Sequence, residues 1–224
     1  MNESLHSAAD LQQLYERRFA GKAEYRQRIW EVLCEFFAQW IDPAGSTLDL
    51  GCGYCEFINN VRSTNKLAID LNPDASKMAS PGVSVLIQDC SERWHVPPET
   101  LDTIFTSNFF EHLPNKTALE QTLGEGFRAL KPGGSLIALG PNIKYLAGEY
   151  WDFYDHHLPL TELSLIEILR KCNFEIDVYW DRFLPYTMSD GKQYPIWTLK
   201  AYLGVPQLWK IFGKQFLVIA RKPS

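Results

Sequence analysis

From residue 46 to residue 139 the chain alternates short apolar runs with segments whose apolar residues recur at helical spacing. Apolar runs of about five residues predict strands, and a period near 3.6 predicts helices packed against them. The predicted strands span residues 46–50, 66–70, 83–87, 101–107 and 135–139, and the helices residues 56–61, 73–79 and 116–130. Crossovers through helices join parallel strands, so we expect an α/β, doubly wound sheet with helices on both faces.

Three more elements are predicted beyond residue 140. Ser164 and Glu167 have the spacing of a capping box that opens a helix ending near Lys171. Asn173 is placed to end that helix in the left-handed conformation. The remaining predicted strands span residues 175–180 and 215–221.

Composition and charge narrow the classes of protein. The chain has 224 residues and a formal net charge of −5, and its lysines and arginines are scattered, which disfavours a nucleic-acid partner. No apolar stretch approaches the roughly 20 residues that span a bilayer, and residues 1–10 lack a signal-peptide core. We therefore expect a cytoplasmic protein without stable membrane insertion. Its five cysteines, an odd number, are expected to be reduced thiols.

A ligand site is predicted where the first strands end. Gly51 and Gly53 lie in the turn after the first strand, where glycine lets the backbone approach a ligand closely. Asp70 ends the second strand, 21 residues after Asp49, the spacing at which a carboxylate accepts hydrogen bonds from a ribose. A dinucleotide fingerprint needs a third glycine where this chain has Glu56, which opposes a nicotinamide-dependent oxidoreductase.

Five segments in register resemble the motifs of class I S-adenosylmethionine-dependent methyltransferases. They are Leu48-Asp49-Leu50-Gly51-Cys52-Gly53, Ala68-Ile69-Asp70-Leu71, Ile87-Gln88-Asp89-Cys90, Asn108-Phe109-Phe110-Glu111-His112-Leu113 and Leu130-Lys131-Pro132-Gly133-Gly134. The resemblance implies a Rossmann-like, seven-stranded sheet whose last strand inserts antiparallel, and S-adenosyl-L-methionine as cofactor. It implies that the cofactor is bound by Asp49, Gly51, Cys52, Gly53, Asp70, Leu71, Asp89, Cys90 and Asn108.

Cys55 departs from the pattern of the resemblance, because many members of the family have glycine at this position. We expect the loop to adopt a conformation that an ordinary residue tolerates. Cys52 and Cys55 also form a Cys-x-x-Cys pair, but no second Cys or Cys/His pair lies at metal-ligand spacing. We therefore predict no metal site and no redox role for them.

The resemblance also divides the chain, which we treat as a single domain of residues 1–224. Residues 1–45 form an N-terminal helical lid, in which Arg26 is placed to meet the cofactor's carboxylate. Residues 46–140 form the cofactor-binding core, and residues 141–224 the substrate side. Within the last part, residues 181–214 are too long for a structureless loop and form a cap insertion.

Three histidines are candidate catalytic bases. His156 and His157 follow the fifth strand, where related small-molecule methyltransferases carry an Asp-His facing the methyl group, and His112 follows the fourth strand. Adjacent histidines usually point apart, so at most one of the pair serves a site, and a half-site for a metal is not favoured over a hydrogen bond to backbone. We expect Glu111 to orient His112 or to cap the next helix.

The methyl acceptor is predicted less sharply than the cofactor. The cap carries many aromatic residues, which suit an apolar substrate pocket, ordinary burial or contact with a lipid surface. They are Phe183, Tyr186, Tyr194, Trp197, Tyr202, Trp209 and Phe212. We predict O-methylation of a small molecule, sugar or lipid-linked acceptor. The alternatives are N-methylation of a small amine and a catalytically silent module that binds S-adenosylmethionine.

Overall fold

A computed structural model describes residues 23–146, 148–186 and 192–224 of the chain. Its strands are β1 (Ser46–Leu50), β2 (Asn65–Asp70), β3 (Val83–Ile87), β4 (Leu101–Ser107), β5 (Leu130–Pro141), β6 (Glu175–Trp180) and β7 (Gln215–Arg221). Its α-helices are α1 (Ala23–Phe37), α2 (Glu56–Asn60), α3 (Ala75–Met78), α4 (Lys116–Ala129), α5 (Glu162–Lys171), α6 (Ile196–Leu203) and α7 (Pro206–Phe212). Residues 1–22 of the predicted N-terminal helical lid lie outside the described residues.

The strands form one seven-stranded sheet in the order β3-β2-β1-β4-β5-β7-β6. Strands β1 to β5 pair in parallel, and β7 runs antiparallel between β5 and β6. The predicted doubly wound, Rossmann-like sheet with an antiparallel last strand is therefore confirmed. The strand order reverses between β1 and β4, the position at which open α/β sheets bind ligands beyond the strands' carboxyl ends.

Two apolar cores cover the two faces of the sheet. Helices α4 and α5 supply one core with residues such as Leu119 and Leu165, both at most 2% exposed. Helices α1, α2 and α7 supply the other with residues such as Phe37 and Ile58. Helices on both faces are thus confirmed, and both faces of the central strands are buried. No described helix combines the length and apolarity that crossing a membrane requires.

Capping side chains begin α4 and α5, and the position of one predicted capping box is corrected. Helix α4 begins at Asn115, whose side chain accepts a hydrogen bond from the Ala118 amide. The capping box of α5 joins Thr161 to Ser164, so the predicted box starting at Ser164 was displaced by one turn. Asn173 has φ 67°, the predicted left-handed conformation.

Candidate functional site

A cavity of about 980 Å³ opens at the carboxyl ends of β1 and β4. Three parts of the chain enclose it: the loops after β1 and β4, one side of α1, and the cap that includes α6. Side chains or backbone from each part line it, including Trp30, Asp49, Gly51, Cys52, Gly53, Asn108, Glu111, His112, His156, Leu199 and Gln215. The cavity thus joins the predicted cofactor loop to the predicted substrate side.

The glycine loop after β1 is tied to the end of β2. The Gly51 amide donates to the Ile69 carbonyl at 2.9 Å, and the Gly53 amide donates to Asp70 Oδ2 at 2.7 Å. Asp70 Oδ1 accepts from the Asn72 amide at 2.8 Å. The carboxylate at the end of β2 therefore fixes the position of the glycine loop.

Cys55 contradicts the expectation that its backbone would be ordinary. Its φ is 60° and its ψ 21°, the left-handed region in which glycine is favoured. The side chain is fully buried, and its Sγ lies 3.4 Å from Cys52 Sγ and 3.5 Å from the Ala75 carbonyl oxygen. Burial of the side chain holds a strained backbone in the conformation that a glycine would adopt.

The two cysteines are buried thiols. The hydrogen bond between them and their burial raise the pKa of Cys52 above its ordinary value, which disfavours the thiolate that metal binding and disulfide exchange require. All five cysteines of the chain are free. These surroundings favour a packing role for the two side chains.

The predicted adenine side lies next to the cavity. The Gln88 amide donates to the Asp70 carbonyl at 3.0 Å, which brings the turn after β3 beside the end of β2. Asp89 and Leu71 are exposed in this region, and Cys90 is buried. Neither these side chains nor Asp70 are among the described residues that line the cavity.

Two cofactor candidates, Asp49 and Asn108, do line the cavity. Asp49 is 4% exposed, and burial raises the pKa of its carboxyl well above the usual value. Asn108 has φ 49° and donates through Nδ2 to Ser107 Oγ at 3.0 Å. Its Oδ1 is buried and makes no hydrogen bond within the described part of the chain, so it can accept one from a ligand.

The structure brings two of the three candidate histidines together. His112 and His156 both line the cavity with ring centroids 5.0 Å apart, although they are far apart in the sequence. His157 is not part of the described lining, and its amide donates to the Glu111 carbonyl at 2.8 Å. The adjacent pair therefore places one histidine in the cavity.

From the sequence, Glu111 was expected to orient His112, but Asp155 takes this role. His112 Nδ1 lies 3.0 Å from the Asp155 carbonyl oxygen and 3.2 Å from its Oδ2. Burial lowers the pKa of His112, but the hydrogen bond with Asp155 and the charges of Glu111 and Asp155 outweigh it, so the pKa is raised. Asn115 caps α4, so Glu111 has neither expected role.

Glu111 is a site residue that the sequence did not reveal as such. Its side chain is 3% exposed, and burial raises its pKa to about 7. Its backbone carbonyl accepts from the amides of His157 and Leu158, which docks the segment after β5 onto the loop after β4. That docking brings His156 to His112.

Arg26 of α1, predicted to meet the cofactor's carboxylate, lines the cavity. Its guanidinium forms a bidentate ion pair with Glu56, at 2.5 and 2.8 Å. This pair fastens α1 to the start of α2. Tyr25 Oη accepts from the Tyr194 amide at 2.9 Å, which fastens α1 to the cap.

The aromatic residues of the cap divide into two groups. Phe183 and Trp209 are buried in the core, where their rings pack edge to face at 4.9 Å. Tyr186, Tyr194, Tyr202 and Phe212 line the cavity. Trp197 is 69% exposed. Some aromatic residues of the cap are therefore buried in the core and others line the cavity, which are two of the roles expected from the sequence.

Gln215 is a second residue that sequence reasoning missed. Its side chain is 6% exposed and lines the cavity, and its Nε2 donates to the Pro185 carbonyl at 2.9 Å. Its Oε1 is buried and accepts no hydrogen bond from the described residues. The available signal was a polar residue at the start of an otherwise apolar strand.

Comparison with known proteins agrees with this fold. A family model described as a methyltransferase domain matches residues 23–178. Since that match covers most of the chain, the chain belongs to this family of methyltransferase domains. No curated protein matches the chain in sequence.

Three solved structures illustrate the similarity of the fold. A SAM-dependent methyltransferase from Archaeoglobus fulgidus is 19% identical, with a TM-score of 0.66 over 95% of this chain and 100% of that one. A Thermotoga maritima protein described as a possible histamine N-methyltransferase is 18% identical, with a TM-score of 0.64 over 96% and 97%. A chain of the Haloferax volcanii complex between the Trm112 methyltransferase activator and a protein described as a methyltransferase is 15% identical, with a TM-score of 0.70 over 98% of both chains.

The protein is thus a class I methyltransferase that uses S-adenosylmethionine. Its site suits this cofactor: Gly51 and Gly53 have positive φ in the loop after β1, and Asn108 offers a buried acceptor. Asp70 and Asp89 do not line the cavity, and their roles toward the ribose and the adenine stay predictions.

Replacing Asp70 by Asn tests its assignment to the ribose. An amide has one acceptor oxygen, so its NH₂ group would face either the Gly53 or the Asn72 amide. Losing a charged hydrogen bond costs about 1.5–3 kcal/mol, so we expect the Kd for S-adenosylhomocysteine to rise about 10- to 100-fold. Calorimetric titration measures this change, with Asp74→Asn in the same loop as control. Equal affinities of the two variants would contradict the assignment.

Proposed function

We propose that this methyltransferase methylates a hydroxyl group of a small molecule, sugar or lipid-linked acceptor. The observation that carries the proposal is the cluster of Glu111, His112 and His156 in the cavity wall. A hydroxyl must lose its proton before or during attack on a methyl group, whereas an amine needs less assistance. Polar side chains that can accept or donate a proton therefore favour an oxygen nucleophile.

The remainder of the cavity supports an acceptor with an apolar part. Ile29 and Trp30 of α1 and Leu184, Leu199 and Phe212 of the cap region line it. Apolar and aromatic walls with a few convergent polar groups are typical of sites for small molecules. Gln215 Oε1 is placed to accept a hydrogen bond from a further hydroxyl of the acceptor.

When bound, S-adenosylmethionine supplies an electrophilic methyl group on its sulfonium. The chain contributes the rest: the glycine loop and Asn108 position the cofactor, and the walls of the cavity hold the acceptor and exclude water. Good alignment of reacting groups at about 3–3.5 Å accounts for much of the rate in such displacements. The cluster of Glu111, His112 and His156 assists the hydroxyl in losing its proton. We place this reaction in the cytosol.

Matched acceptors test the choice of oxygen over nitrogen. The chain is incubated with methyl-labelled S-adenosylmethionine and pairs of alcohols and amines that share a carbon skeleton, including phenols, sugars and lipid alcohols. We expect label in methyl ethers, identified by mass spectrometry. Label only in amines would overturn the proposal in favour of N-methylation, which the described activity of the Thermotoga maritima protein makes the second candidate.

If neither the alcohols nor the amines are methylated, one further measurement is needed. The Haloferax volcanii complex contains the Trm112 methyltransferase activator, so the assay is repeated with that protein added. Turnover that appears only then would identify an activator-dependent enzyme. Cofactor binding without turnover in either case would support the silent-module alternative.

A further inference from the structure

Glu111, His112 and His156 form a compact set of metal-ligating groups. One ligand atom from each lies within 4.8 Å of the other two. From the sequence we expected no metal ligand, because the adjacent histidines contribute a single member to any site. The tertiary structure adds two ligands from the loop after β4, which changes that expectation.

Both histidines are held in the orientation that metal ligands require. His112 Nδ1 lies 3.0 Å from the Asp155 carbonyl oxygen, and His156 Nδ1 lies 2.9 Å from the Tyr150 carbonyl oxygen. A carbonyl oxygen has no proton to donate, so each Nδ1 carries the hydrogen. In the neutral rings the lone pair is then on Nε2. Metal-binding histidines are commonly fixed in this way by a carbonyl or carboxylate on the other nitrogen.

The charges in the cluster also suit a cation. Glu111 and Asp155 are carboxylates with exposures of 3% and 1%. Buried carboxylates in proteins are usually paired with a cation or coordinate a metal. Asp155 has His112 as its neighbour at 3.2 Å, whereas Glu111 faces the cavity. A divalent ion at the cluster would compensate the charge of Glu111.

We propose that Glu111, His112 and His156 bind a divalent cation of the zinc class, with its fourth position open to the cavity. Two imidazoles and a carboxylate with one open position are the ligands of several catalytic zinc sites. This inference rests on the proposed function, since the open position would take the acceptor's hydroxyl. The cation lowers the pKa of that hydroxyl, and the released proton passes to solvent water.

Cobalt(II) is the probe, because it replaces zinc and gives visible absorption in a tetrahedral site. The full chain is stripped of metal with a chelator and titrated with Co²⁺, by absorption and by calorimetry. We expect one equivalent to bind. Asp155→Asn should weaken binding by up to about 10-fold, because it removes the carboxylate charge beside His112 but keeps the backbone carbonyl that orients the ring. Glu111→Gln, His112→Ala and His156→Ala should weaken it more.

His157→Ala is the matched control, because His157 neighbours His156 in sequence but is outside the described cavity lining. Circular dichroism and titration with S-adenosylhomocysteine establish that each variant is folded. The proposal is overturned if the wild-type chain binds no Co²⁺ at millimolar concentration. It is also overturned if the ligand variants bind as tightly as His157→Ala, which would place the ion elsewhere.

Activity separates this inference from the proposed function. If the metal-free chain methylates an alcohol at the full rate, the proposed cation site is contradicted. O-methylation then stands, with a histidine as the direct base. If the cluster binds the cation but label is transferred only to amines, O-methylation is contradicted and the metal site stands.

Discussion

Replacing His112 or His156 by Ala is expected to lower kcat for an alcohol acceptor by about 10²- to 10⁴-fold, the range contributed by groups that manage a proton in the transition state. Both rings line the cavity and lie 5.0 Å apart, so each loss removes part of one cluster. The Kd for S-adenosylhomocysteine should change by less than about threefold, because neither ring is among the contacts predicted for it. Initial rates of labelled-methyl transfer measure the effect.

His157→Ala controls for the loss of an imidazole from the same segment. We expect its kcat to stay within about threefold of the wild-type value, because the ring is outside the described lining of the cavity. The double variant His112→Ala/His156→Ala should be little slower than the worse single variant, since residues that act as a unit are not additive. Undiminished rates in both single variants would remove the histidines from the mechanism.

Gly51→Ala is expected to damage both stability and cofactor binding. Gly51 has φ +70°, and an added Cβ would lie 2.3 Å from Cγ of Phe109. The left-handed conformation costs an ordinary residue about 1–2 kcal/mol, and overpacking costs about 1–3 kcal/mol more. The loop or the Phe109 ring must move, so we expect the Kd for S-adenosylhomocysteine to rise at least about tenfold. Chemical denaturation and calorimetry measure the two effects.

Substitutions at two other glycines distinguish the cost of backbone strain from the cost of steric overlap. Gly82 has φ +92° with nothing within 4 Å of an added Cβ, so Gly82→Ala should show the backbone cost alone. Gly124 lies inside α4 with open space around it, so Gly124→Ala should stabilise the protein by about 0.5–1 kcal/mol. Neither change should alter cofactor affinity. A Gly51→Ala protein as stable as Gly82→Ala would show that Phe109 yields without cost.

The strands were predictable because each is a short apolar run bounded by turn residues. Strands β1, β3, β4, β6 and β7 have the predicted limits. Strand β5 is longer than predicted, spanning Leu130–Pro141, since Leu130 pairs with Leu101 before a register shift, after which Ser135 pairs with Thr103. Pairing with neighbours, and not local propensity, decides where such a strand begins.

The cofactor loop was predictable for a related reason. Gly51, Gly53 and Asp70 lie at the ends of adjacent parallel strands, so their spacing in sequence fixes their proximity in space. Cys55 was not predictable, because burial of its side chain overrides the local cost of a positive φ. Backbone strain of this kind depends on what surrounds the residue.

The sequence by itself determined the strands of the sheet and the edge predicted to bind the cofactor, because those features follow from periodicity and from residues at the ends of neighbouring strands. The identity of the cofactor came from the resemblance of five motifs to a known family. Only the tertiary structure decided which of the candidate histidines share a site. His112 meets Asp155 and His156 across more than 40 residues, through backbone hydrogen bonds to Glu111 that no periodic pattern records. The orientation of the rings and the burial of Glu111 arise from that long-range docking, which is why the sequence left the choice open.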